Sequence, residues 1–310
     1  MTDPTTTDST DTNSGWFTDA DALSAYLKDT RASDDRVVST VTDAQTLIDN
    51  FRTRTVQSPW TTLDRTEIAD RLQQLIGTPR AFQQGALNLC GPATFMCMWT
   101  GRDPVGFATY ATQLYDTGCG AIGTLTVQPG QELLEQDFGA MKAQMGSNPT
   151  WSADWMVLGA LRNSTDVFWQ GSWTGNPDQQ LSALTRPEEL AGWLQATGIY
   201  GSVLDHGNWV TLAGLPQAEN LIVASGMDTA LLIHMNLINS AQNALQDRSF
   251  LLSQFPNHFV MLLSEVVVDV TTGLVHLSIW TWGESKLDLA VPQQDFIDNY
   301  YGAVTGRLHS

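Results

Sequence analysis

The chain has little lysine, little cysteine and no apolar run long enough to cross a bilayer, and each shortage removes a class of protein. Lys28, Lys142 and Lys286 are its only lysines, and 15 basic against 33 acidic residues give a formal charge of -18 at pH 7. Nucleic-acid phosphate and anionic membranes are repelled over most of such a surface, so neither is expected as a partner. The acids are mostly aspartate. Short carboxylates and few ammonium stems suit a protein hydrated in concentrated salt, and suit equally an ordinary acidic surface. Cys90, Cys97 and Cys119 are too few, and odd in number, for a disulfide framework. On one helix Cys90 and Cys97 would lie about two turns, roughly 10 Å, apart, too far to bridge. No stretch of about 18 apolar residues is present. Met1 to Gly15 has neither a basic n-region nor an apolar h-region. The expected location is cytoplasmic, or outside the cell by a route that uses no classical signal peptide. Ligands at metal-binding spacing and a GxxxxGK[ST] loop are both lacking, so neither a metal nor a cofactor is expected.

What the chain does have is apolar mass: 310 residues at 42% hydrophobic content, with eleven Trp and eleven Phe, are ample for a packed core. Trp151, Trp155, Trp169, Trp173 and Trp193 read as core aromatics. Residues 1–15, rich in Thr, Asp and Ser, cannot bury enough surface to offset their ordering entropy and read as a disordered acidic tail. Helical spacing begins near Asp19, with Ala22, Leu23, Tyr26 and Leu27 on one face. It continues with Val37, Val41, Ala44, Leu47, Ile48 and Phe51 on another. Asp64 with Glu67, Asp103 with Pro104, Ser152, and Thr185 with Glu188 mark further helix starts. Beyond residue 197 the period changes. Tyr200 to Leu204, Thr229 to Leu237, Phe259 to Val270 and Leu274 to Trp282 read as strands, the second also as a possible buried helix, and Thr271-Thr272-Gly273 turns the last pair into a hairpin. Helices about 16–196 followed by a sheet about 197–310 make an α+β fold, read as one domain over 16–310.

The chemistry concentrates in Gln84-Gly85-Ala86-Leu87-Asn88-Leu89-Cys90-Gly91-Pro92-Ala93. Gly91-Pro92 starts a helix at Cys90, and a helix N-terminus stabilises a thiolate through free N–H groups and the positive dipole end. His258, opening the run Asn257-His258-Phe259-Val260, sits where a rigid strand would aim an imidazole at that helix end; His206 is the rival base. Gln84, with Gln83 as near alternative, and the Cys90 N–H would serve as oxyanion donors. Cys97, among Phe95, Met98 and Trp99, reads as core, Cys119 as a loop thiol, and His234 as a satisfied core residue.

Gln84, Cys90-Gly91-Pro92-Ala93 and Asn257-His258-Phe259-Val260 together resemble the papain-like cysteine peptidase superfamily, in particular its bacterial branches. The resemblance covers some tens of residues. It implies a helical lobe carrying Cys90, an antiparallel sheet lobe carrying His258, and acyl-enzyme chemistry on a peptide or amide substrate between them. The chain departs from the family at the third position: Trp280-Thr281-Trp282-Gly283 keeps the Trp-Gly pair but places Trp280 where the family has Asn or Asp. Thr281 or Glu284 is the expected substitute for orienting the ring. The readings left standing are a thiol hydrolase, an inactive binding module of the same fold, and a cysteine-dependent acyltransferase or deamidase.

Overall fold

The computed structural model describes residues 37–165, 173–176, 178, 179, 182–242, 256, 258–281 and 284–309, without the side chains of 284 and 285. The expected tail, the helix near Asp19, Trp169, Asn257, Trp282 and Gly283 lie outside the described residues. Helix α1 (Val41–Arg52) starts where Thr40 accepts the Asp43 N–H, and it buries Ala44, Ile48 and Phe51. Val37 and Val41, expected on the same face, are exposed. Helix α2 (Arg65–Gly77) starts at Asp64, whose carboxylate accepts from the Thr66 and Glu67 N–H groups. A 3-10 turn, Pro79–Ala81, leads toward α3 (Cys90–Arg102). The sequence of α3 is apolar on every side, and it is accordingly buried along nearly its whole length. Helix α4 (Pro104–Thr117) has Asp103 accepting the Gly106 N–H and Pro104 at its first position. It stops at Gly118, whose φ of 71° places it in the left-handed region that favours glycine.

Next come a two-stranded hairpin, β1 (Gly120–Ile122) with β2 (Leu125–Val127), and helices α5 (Gln131–Leu134) and α6 (Phe138–Gln144). The hairpin is not expected in a predominantly helical first half, because three-residue strands are too short to display a period. Two expected caps are displaced by one residue. In α7 (Ser152–Ser164) the N-cap is Trp151, and Ser152 lies inside the first turn. In α8 (Pro187–Ala196) the N-cap is Arg186, whose N–H donates to Glu189 Oε2 at 2.7 Å, so neither Thr185 nor Glu188 serves. Pro187 explains the shift: it fixes the first helical residue and requires an extended one before it.

Seven strands form one antiparallel sheet: β3 (Tyr200–Asp205), β4 (Met227–Ile233), β5 (His258–Leu262), β6 (Val267–Asp269), β7 (Leu274–Thr281), β8 (Glu284–Pro292) and β9 (Tyr300–Leu308). Their order is β3-β9-β4-β5-β7-β6, and β8 also pairs with β7. The run from Phe259 to Val270 is two strands, because the Ser264 hydroxyl takes the Ser278 N–H that an unbroken ladder would have used. The run from Thr229 to Leu237 is a strand as far as Ile233, with helix α10 (Asn236–Ala241) beyond it. Phe259, Trp280 and Leu232 face the helices of the first half. Val260, Leu262 and Leu231 pack on α9 (Leu215–Glu219), α10 and α11 (Gln293–Asn299) on the opposite face. The described chain is thus an α+β arrangement of helix layer, sheet and thinner helix layer. No helix among the described residues is long and apolar enough to cross a membrane.

Candidate active site

Helix α3 is fastened to the sheet at both ends. At its start, the Phe259 N–H donates to Cys90 Sγ at 3.4 Å, and one turn later Thr94 Oγ1 donates to the Phe259 carbonyl at 3.1 Å. Residues four apart lie on one helix face, so Cys90 and Thr94 together satisfy both backbone groups of a single strand residue. At its end, Arg102 forms a two-pronged pair with buried Asp228 of β4 at 2.9 and 2.8 Å, and Tyr200 adds a hydroxyl at 2.8 Å. The Phe259 N–H belongs to the peptide group that follows His258. Standard bond lengths therefore put the His258 Cα within about 6 Å of the Cys90 sulfur, inside the reach of an imidazole.

The thiol lies in a site that pulls it two ways. Burial pushes its pKa up from 9.0 to about 11, while the N–H groups of Phe259, Gly91 and Cys90 itself pull in the opposite direction. Residue 90 is only 3% exposed. Thr185, expected as a helix cap, instead packs on Gly91, where an added β-carbon would fall inside the envelope of the Thr185 side chain. The Thr185 hydroxyl is buried with no hydrogen-bond partner among the described residues. Sequence reasoning missed both threonines; a buried hydroxyl in the otherwise apolar α3 was the available signal for Thr94, and Thr185 had none.

Gln84 is buried on the connection into α3, and its Oε1 has no hydrogen-bond partner among the described residues. That connection is bent by Gly85 at φ 60° and Asn88 at φ 53°, the one non-glycine residue of positive φ in the described chain. Gly85 approaches the backbone of residues 148–150 too closely for a β-carbon. Gln83, the alternative donor, is anchored through its other polar groups. Its N–H goes to Asp154, its carbonyl accepts from Thr150, and its Oε1 accepts from the Trp151 indole.

Thr281 is buried, and its hydroxyl takes no partner among the described residues. Register pairs Met261 with Trp280, so continuing it one step sets Thr281 opposite Val260, two residues along β5 from His258. Glu284 of β8 pairs with Thr281 of β7, and its side chain lies outside the described residues. Trp280 donates its indole N–H to the Arg80 carbonyl at 2.8 Å and so ties the sheet to the 3-10 turn. His206 is exposed after β3, and His234 Nδ1 accepts the Asn236 N–H at 3.0 Å. Cys97 is buried with its pKa raised far by burial, and Cys119 is half-buried. Among the described residues, no group of three or more His, Cys, Asp or Glu side chains is placed to hold a metal ion. No model of a known protein family matches this chain, and no curated protein sequence does.

Proposed function

We propose that the chain is a thiol hydrolase of papain-like architecture acting on a peptide or related amide bond. His258 removes the Cys90 proton as sulfur attacks the carbonyl, and returns it to the departing amine. Gln84 and the Cys90 N–H hold the oxyanion. Water, deprotonated by His258, then cleaves the thioester, releasing the acid and restoring the thiol. The observation that carries this reading is the contact of Cys90 Sγ, at the start of α3, with the peptide group that His258 opens in β5. Three N–H groups around the sulfur favour the thiolate, and burial keeps the resting thiol protonated.

Iodoacetamide labelling with peptide mapping tests it. Cys90 should label well ahead of Cys97, which shares the same buried helix, and His258→Ala should slow the Cys90 reaction alone. Turnover of peptide and amide substrates should vanish in Cys90→Ala while the chain still folds, at a thermal midpoint lowered by the loss of the sulfur that takes the Phe259 N–H. Equal, slow labelling of Cys90 and Cys97 would overturn the reading. It would favour an inactive module that binds partners through the same surface, a reading supported by the 3% exposure of Cys90 and the Thr185 contact. An acyltransferase or deamidase shares the first half-reaction and differs in the acceptor, which mass spectrometry of the product identifies.

A further inference from the structure

Away from Cys90, a cleft of about 330 Å³ opens between α2, α6 and the first turn of α7. Its floor is fixed and electrically neutral. Arg71 donates to both oxygens of fully buried Asp154 at 2.7 and 3.0 Å, and its remaining nitrogen donors reach Gln74 Oε1 and the Ala81 carbonyl. Its end wall is Trp151, the only aromatic among the exposed large apolar residues of the described chain, at 49%. This corrects its expected place in the core. The ring is held in position: its indole N–H donates to Gln83 Oε1 at 3.1 Å, and the Arg71 guanidinium lies 5.3 Å from its centroid.

The two side walls carry opposite charges that do not meet. From α2 comes Glu67, whose carboxylate has no ion pair or hydrogen bond with a described side chain; its neighbour Asp70 is taken by Arg52 at 2.6 Å. From α6 comes Lys142, whose ammonium stands 5.9 Å from the Phe138 centroid and 5.6 Å from that of Trp151. No carboxylate among the described residues lies within ion-pair distance of it. In a chain with 33 acidic residues and three lysines, a lysine lodged over two rings and not against an acid marks a place where an anionic group of another molecule fits.

We propose that this cleft binds a small dipolar ligand with an apolar body, of the class of a free aromatic α-amino acid. Its ammonium faces Glu67, its carboxylate faces Lys142, and its side chain lies against Trp151 and Phe138. The size agrees: about 330 Å³ lies at the small end of ligand clefts. The inference is independent of the reading of Cys90.

Calorimetric titration of the full chain tests it with three probes: L-phenylalanine, its N-acetyl derivative and its carboxamide. The free amino acid should bind, and each blocked form should bind at least about tenfold more weakly. Glu67→Gln should erase the discrimination against the N-acetyl form and leave that against the amide. Lys142→Met should do the reverse. Both sites are exposed, so the fold is not at risk. Absence of binding up to about 10 mM, equal affinity for all three probes, or discrimination unchanged in both variants would overturn the proposal.

Discussion

Cys90 and Thr94 act as a pair on Phe259, one sulfur taking the N–H and one hydroxyl supplying the carbonyl. Thr94 is fully buried, so Thr94→Val, the same shape without the donor, strands that carbonyl and should cost about 1–3 kcal/mol in urea unfolding. Thr94→Ser should recover most of it. The buried thiols make a second expectation, in alkali. Folded Cys90 titrates near 11 and the unfolded residue near 9.0, so the folded chain holds the proton more tightly. Its stabilising share is complete below pH 9.0, falls as pH rises, and is gone above about 11. Cys97 acts in the same direction. Urea midpoints measured between those limits should fall less steeply in Cys90→Ala/Cys97→Ala than in the unaltered chain. Parallel slopes would contradict the burial argument.

Helix α3 is the element on which the candidate site depends, because its two ends are joined to two neighbouring strands. The Arg102–Asp228 pair is buried, with the Tyr200 hydroxyl as a third member. Asp228→Ala leaves a guanidinium without its counter-charge and should cost about 3–5 kcal/mol. Replacing both partners, as Arg102→Met with Asp228→Leu, should be far milder, since no stranded charge remains. Chemical denaturation of the single and double variants checks both outcomes. The starts of α2 and α4 were legible in the sequence because a capping Asp and a first-turn Pro act within four residues. The starts of α7 and α8 were misplaced by one residue. In α8 a proline and a contact across the molecule, Thr185 on Gly91, override the local preference for a Thr cap.

For the molecule as a whole, charge and core act in opposition. One buried cluster runs from Ala44 to Leu308 and takes in α3 together with Phe259 and Trp280 of the sheet. Against it stands the self-repulsion of a net charge of -18. Raising sodium chloride from about 0.1 M to about 1 M shortens the screening length from roughly 10 to 3 Å, and should raise the thermal midpoint. A midpoint that falls with salt would mean that ion pairs such as Arg65 with Asp116 and Arg71 with Asp154 outweigh the repulsion.

Period, caps and composition are local properties, and from them the chain's α+β order, the helix that begins at Cys90 and the strand that begins near His258 could be read directly. Strand β9 could not: Gly302, Thr305, Gly306 and Arg307 dilute its apolar alternation, and it becomes a strand because β3 and β4 pair on either side of it. The closing of Thr185 over Gly91, the grip of Thr94 on Phe259 and the outward turn of Trp151 were likewise settled by folding. Each depends on partners tens of residues or more away in the chain. A residue's own preferences say which groups it can bond, while packing of the whole chain fixes which of them it meets.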